Sequence, residues 1–378
     1  MKLHEFQTKA IFKREGIPLP ASFLSSSPVQ AKQAASEIGY PVILKAQSLI
    51  SGRGKAGGIR LTRNDAETES AAGDIFNIKL KGISIQQILV EKAIKVENEL
   101  FIGIRYDTTS GHPSFVLSVE GGISLEDNAP LSSSNSFIQT INPLLGLQAF
   151  QVRQACANLK IAPYKWKIIE QTALKLWHVF NNYDATLAEI NSMVFNEEGH
   201  AVVIDCKLVI DDNALFRQRE FAGFLDPAIT SFAQAEARKF GHKLVRLDGN
   251  IAVISNSQGL ASATLDELAQ HGLNPALVLI LDHNATVSSI SAACQLVQED
   301  PSVETVFLNI VSNMDDCCSI AQGIIRTHQN TLSPIPFVVR LKGSHCVEAN
   351  KILTGQENLI LIETLDDAVQ KLKEVLEE

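Results

Sequence analysis

The chain contains no apolar run approaching the ~18 residues that a membrane span needs, so no integral membrane segment is expected. Its opening, MKLHEFQTKAIFKREG, is too charged to hold the apolar core of a signal peptide, and the expected location is cytoplasmic. Basic surplus is missing too. The 33 Lys and Arg face 42 Asp and Glu, for a formal charge of −9, which argues against general nucleic-acid binding but leaves room for a local basic pocket. The six cysteines (156, 206, 294, 317, 318 and 346) show neither CxxC spacing nor a paired metal pattern. Cys317 and Cys318 are adjacent, which suits neither a relaxed disulfide nor zinc, so all six are expected as reduced thiols. There is no GxxxxGK[ST] loop, no fixed-period repeat and no low-complexity tract.

The 378 residues are too many for one ordinary core. Residues 3–15 read as a helix stopped by Gly16. PVQAKQAASEIG reads as a second, with Pro28 in its first turn and Gly39 past its end. PVILKAQ (41–47), GGIRLT (57–62), QILVEKA, ELFIGIRYD and SFVLSVEGG read as strands. Helices over roughly 143–160 and 166–181 precede a hairpin, ATLAEINSMVF and AVVIDCKLVID around a turn at NEEG. Residues 219–243 are polar and irregular and place a domain boundary, giving domains at 1–225 and 244–378. Beyond it the runs IAVIS, ALVLIL, VETVFLNI, PFVVRL and NLILI alternate with helical segments 258–271, 286–299, 316–329, 345–354 and 365–377. Doubly buried strands alternating with helices predict a parallel, doubly wound sheet.

The stretch SGRGKAGG (51–58) holds four glycines and two cations. GRGKAG formally matches GxGxxG, but the dinucleotide fingerprint needs a helix after the loop, and here GIRLT is a strand. What remains is a glycine-rich hairpin tip carrying Arg53 and Lys55. It is either a polyphosphate cradle, built on close-approaching backbone N–H groups, or an ordinary long hairpin. Lys45 ends an apolar strand, where a lysine either snorkels or meets a phosphate. Glu91 and Glu99 sit at strand edges, where carboxylates take ribose hydroxyls or an adenine amine, or simply face water. With the later hairpin turning near Glu198, Asn191 falls opposite Asp205, and side-chain alternation adds Glu189 and Lys207 to the same side. Hard oxygens on a rigid hairpin, completed by phosphates, suit Mg²⁺; an exposed face with a salt bridge is the alternative.

Taken together, these residues resemble the ATP-grasp domain. More closely, the chain resembles the β subunit of ADP-forming succinate–CoA ligase along its whole length. LHEFQTKAIFKREGIPLP, GRGKAGG, LVE, EGGI, EIN, NALFRQ and LDGNI follow that family's order and spacing. The resemblance implies α/β and α+β architecture: an N-terminal ATP-grasp domain of two subdomains and a C-terminal flavodoxin-like parallel sheet. It implies Lys45, Gly52, Arg53, Gly54, Glu91, Ile94 and Glu99 at ATP, with Ile94 contributing backbone, and Asn191 and Asp205 at Mg²⁺. It also implies an α partner that binds CoA and carries a phosphorylated histidine, in an αβ or α₂β₂ assembly with succinate as the default acid. None of the nine histidines here stands in a glycine-rich loop.

Asn256, Asn313, Met314 and Asp315 fall where that family faces substrate and partner, and there the pattern departs. SNSQGLAS stands for NGAGLAM, Asp282-His283-Asn284 for a GGG run, NIVSNMDDCC for NIFGGIVRCD, and RLKGSH for RLEGTN; Ser51 also replaces a loop glycine. Two further readings follow from these departures. One is an ATP-grasp carboxylate ligase acting on another acid without a phosphohistidine. The other is a catalytically impaired nucleotide-binding assembly subunit.

Overall fold

Ser27 starts the second helix: its side chain accepts from the Gln30 N–H, and Pro28 fills the first helical position, where no N–H is needed. The computed structural model describes residues 1–49, 53–80, 83–96, 98–107, 110–120, 135–196, 198–224, 232–312, 317–330 and 335–377. Contacts divide the chain into two units, Met1–Ile229 and Thr230–Glu378.

The first unit holds two larger antiparallel sheets. One runs Ser22–Ser25, Ile88–Lys92, Val42–Ala46, Ile59–Thr62. Val42, Leu44 and Ala46 alternate into a core with Ile88, Val90 and the helices Pro28–Ile38 and Asp65–Phe76. Ile43 and Lys45 therefore point to the other face. The second sheet runs Ala201–Ile210, Ala185–Phe195, Leu100–Tyr106, Pro113–Ser118, Ser136–Thr140. Its core of Ile102, Ile104, Phe115, Leu117, Ile190 and Leu208 is closed by Phe12 from helix Glu5–Arg14 and by Ile169, Leu176 and Val179 from helix Pro163–Asn182. Each fully buried side chain of this size contributes about 1.5–3 kcal/mol. Trp166 and Trp177 lie on that last helix and pack partly buried against the same core.

The second unit is one six-stranded sheet, ordered Lys243–Arg246, Pro275–Ile280, Ile251–Ser255, Thr305–Ser312, Phe337–Gly343, Leu359–Leu361. Its five parallel strands lie in the order 2-1-3-4-5, that of the flavodoxin-like fold. Ile251 and Val253 face Leu268 and Leu372 on one side; Ala252 and Ile254 face Ile290, Ala293 and Ile320 on the other. At the end of Phe337–Gly343, Gly343 has φ +115°, and a Cβ there would lie 1.6 Å from the Ser312 carbonyl oxygen. Only glycine lets this strand reach its last pairing.

Several boundaries differ from the sequence reading. The 143–160 helix starts only at Ala149, and the next starts earlier, at Pro163, which supplies a helical first turn. The polar stretch before 243 contains the helix Phe232–Lys239, and Lys243–Arg246 adds an antiparallel edge to the expected parallel sheet. Helix Asp65–Phe76 and strands Ser22–Ser25 and Ser136–Thr140 are further elements beyond those the sequence pattern predicts. None of the six cysteines is in a disulfide, and four of them are buried. Among the described residues no helix is long and apolar enough to cross a membrane.

Candidate functional site

In the first unit, Lys45 and Glu91 meet because of strand register. Ile43 pairs with Glu91 across the sheet, so Lys45, two residues on, lies diagonal to Glu91 on the same face. Lys45 Nζ lies 2.7 Å from Glu91 Oε1 and 3.0 Å from Glu5 Oε1, and it donates to the Ile204 carbonyl. Glu5 and Lys9 come from the first helix at i, i+4 spacing, 3.0 Å apart. Lys9 also pairs with Glu91 and donates to the Ile204 carbonyl at 3.0 Å. Arg53, from the glycine loop, bridges Glu5 and Asp205, the latter at 3.0 Å.

Three cations and three carboxylates thus converge from five segments, most of them buried. Burial alone would raise the pKa of Glu5, but Lys45, Lys9 and Arg53 outweigh it and hold the carboxyl well below its ordinary value. Burial works against the charge on Lys9 as well, and Glu5 and Glu91 reverse it, lifting the ammonium above the usual lysine range. Arg53 is raised likewise, against burial, by Glu5 and Asp205. Glu5, Lys9 and Arg53 thus each hold their charge against burial through their neighbours.

The glycine hairpin is closed by Gly58 N–H to the Arg53 carbonyl at 2.8 Å and Ala46 N–H to the Gly58 carbonyl at 2.7 Å. Gly54 and Lys55 are exposed at its tip; Gly52 and Ser51 lie outside the described residues. Ile94 and Glu99 are partly exposed on either side of the segment leading into Leu100–Tyr106.

On the later hairpin, bulges shift the register so that Ser192, not Asn191, pairs with Asp205. The expected pairing is off by one residue because a bulge inserts an unpaired residue into one strand. Asn191 is that residue, and its Nδ2 still donates to Asp205 Oδ2 at 3.3 Å. Glu189 and Lys207 do pair, 4.0 Å apart. Asn191 Oδ1 is buried and has no hydrogen-bond partner. An orphaned amide oxygen beside a carboxylate is a donor set that suits Mg²⁺, a hard cation that keeps waters and phosphates in its shell. Among the described residues no cluster of three or more His, Cys, Asp or Glu forms a metal site. Glu5 and Lys9 are the site residues that sequence reasoning missed. Their i, i+4 spacing was visible but reads equally as a helix-surface pair.

In the second unit, a cavity of about 280 Å³ opens at the carboxyl ends of the parallel strands, lined by Asn256, Asp282, His283, Asn284 and Ser319 among others. It adjoins the point where the strand order reverses, the usual ligand crevice of such sheets. Asn256 closes that seam: its Nδ2 donates to the Val311 carbonyl at 3.0 Å and its Oδ1 accepts from the Val311 N–H at 3.3 Å. Its amide is therefore engaged by backbone, while Asn313, Met314 and Asp315 lie outside the described residues.

Comparison with known proteins matches residues 2–195 to the ATP-grasp domain family and residues 254–374 to the CoA-ligase family. Proteins named succinate–CoA ligase [ADP-forming] subunit beta are similar end to end. That of Halobacterium salinarum is 36% identical over 100% of this chain and 99% of its own. The Herpetosiphon aurantiacus and Aquifex aeolicus proteins are 35% and 34% identical, each over 99% of both chains. Among solved structures, ATP citrate lyase from Methanothrix soehngenii, in complex with citrate and coenzyme A, superimposes with a TM-score of 0.76 at 16% identity. It covers 100% of this chain and 99% of that one, a likeness of fold.

Proposed function

The chain belongs to the family of ADP-forming succinate–CoA ligase β subunits, and from that premise we propose that it is the nucleotide-binding half of a two-subunit acyl-CoA ligase. In this reading the first unit binds Mg-ATP. An α partner supplies CoA binding and the histidine that carries phosphate to the acid, with succinate as the substrate. The observation that carries the reading is the convergence of Lys45, Arg53, Asn191 and Asp205 around one buried charge cluster.

Lys45 and Arg53 are the groups to neutralise a polyphosphate, and both are held in position by Glu5. The loop glycines, Gly52 and Gly54, let backbone N–H groups approach the phosphates. Ile94 and Glu99 are assigned to the nucleoside end, and Glu91 serves ATP through Lys45. Glu91 is only 1% exposed and is shared between Lys9 and Lys45, so its part is to fix Lys45. Asn191 and Asp205 would hold Mg²⁺, which when bound supplies charge neutralisation on the phosphates. Phosphoryl transfer needs positioning and charge stabilisation rather than a nucleophile from this chain.

The experiment is phosphoryl transfer. The full chain is mixed with the α-like protein from the same source and γ-labelled Mg-ATP, with the Asp205→Asn chain in parallel. Acid-labile label on the partner, discharged by succinate and CoA and lost with Asp205→Asn, is the expected result. ATP binding without label on the partner would sink the phosphohistidine route and turn attention to direct acyl-phosphate chemistry.

A further inference from the structure

We propose that His242 is a positioning residue that holds the Asp282–Asn284 wall of the strand-end cavity in place, and that protonating its ring releases that wall.

The ring of His242 has two polar partners. His242 is 1% exposed, and its Nε2 faces the Ser289 carbonyl at 3.1 Å. A carbonyl only accepts, so Nε2 carries the hydrogen. Its Nδ1 lies 3.0 Å from the backbone N–H of Asp282, which only donates, so Nδ1 is bare. The two partners together fix one neutral tautomer. A second proton on Nδ1 would set donor against donor and break the bond to Asp282.

Asp282 is where the strand becomes the loop. Leu281 N–H still reaches the Ser255 carbonyl at 2.8 Å, while the Asp282 carboxylate accepts from Asn284 N–H at 3.1 Å and its carbonyl from Ala285 N–H at 3.1 Å. The loop is thus organised around Asp282, and Asp282 is tied back through His242. Ser289 lies in the first turn of helix Val287–Gln298, so the same ring also joins the loop to the helix that follows it. Asp282, His283, Asn284 and Ala285 form one side of the cavity.

The charged group acting on the ring is Asp282 on the loop, while Glu236 on helix Phe232–Lys239 and Glu299 after helix Val287–Gln298 line the same hollow as His242. Glu236 is paired with Lys239 at 2.5 Å, and Lys243 adjoins His242 in the chain. Burial lowers the pKa of His242; the Ser289 carbonyl and Asp282 pull it back only in part, leaving it below the ordinary histidine value. The ring is therefore neutral at pH 7, and the wall is held there.

The test uses the full chain. Nitrogen NMR of labelled histidine should show the Nε2–H tautomer at pH 7.5 and a midpoint below ~6.5. Hydrogen exchange, corrected for intrinsic rates, should show the Asp282 amide protected at pH 7.5 and at least tenfold less protected below that midpoint. His242→Asn, whose Oδ1 takes the place of Nδ1 without titrating, should keep the protection at both pH values; His242→Phe should lose it at both. The Nδ1–H tautomer, or protection at Asp282 that does not follow the titration of His242, overturns the proposal. If His242→Phe does not fold, the Asn variant carries the test: a protection loss on acidification as large as in the parent chain is equally decisive against it. This readout is independent of phosphoryl transfer, so failure here and failure of the ligase reading are told apart.

Discussion

A buried lysine costs several kcal/mol unless a carboxylate meets it, and Lys45 has two. Glu5 matters most in this arrangement because it touches Lys9, Lys45 and Arg53 at once. Glu5→Gln leaves three cations facing two carboxylates. We expect a loss of about 3–5 kcal/mol, the usual cost of breaking a buried pair by removing one partner, measured by equilibrium urea denaturation. A loss under about 1 kcal/mol would mean that water already screens the cluster. Lys45 could be picked out from sequence, because a lysine at the end of VILKA breaks an apolar run. Glu5 could not: a charged pair on an N-terminal helix looks like a solvated face until a second sheet is laid over it. The sequence pattern places Asn191 beside Asp205 but not as a bulge, since nothing local in EINSM announces the extra residue.

Between elements, one close helix contact in the second unit depends on an absent side chain. Helix Cys317–Asn330 crosses helix Val287–Gln298 at Gly323, where a Cβ would lie 2.5 Å from Ile290 Cγ2 and 3.2 Å from the Val287 carbonyl oxygen. Replacing glycine by alanine inside a helix normally gains up to ~1 kcal/mol. Here overpacking should outweigh that gain and leave Gly323→Ala less stable by about 1–3 kcal/mol. Thermal unfolding followed by circular dichroism checks the sign, and adding Ile290→Ala should recover part of the loss; a stabilised single variant would show that the helices can simply move apart. Helices of this unit were legible because their apolar positions repeat at helical spacing between doubly buried strands. Helix Asp65–Phe76 was not, because only Thr68, Ala72 and Ile75 are buried along it. Its start was nevertheless written in Asn64 and Glu67, where the Asn64 side chain accepts from the Glu67 N–H at 2.9 Å.

Across the whole molecule, the two units differ in what acid does to them. Burial holds His242 and His328, both in the second unit, below the ordinary histidine range. In the unfolded chain they titrate near ~6.5, so unfolding takes up protons below that pH. The stability they support is complete above it and falls as the pH drops. Glu5 and Asp184 in the first unit, and Asp300 in the second, are lowered carboxylates whose contribution persists down to about pH 4 and is lost as the pH falls through their folded values. The second unit should therefore loosen first, between about pH 6.5 and 4.5. Hydrogen-exchange mass spectrometry across that range would show it, and earlier loosening of residues 1–224 would contradict it. The sequence revealed the parallel sheet of this unit through its apolar runs. It did not reveal the antiparallel edge Lys243–Arg246, a short strand half exposed to water. Finally, the chain has two tryptophans, and both sit on helix Pro163–Asn182 in the first unit. Excited at the red edge of tryptophan absorption, the protein is optically one-sided. A label-free fluorescence melt reports the nucleotide half and passes over the other, where a damaging substitution such as Gly323→Ala would look silent.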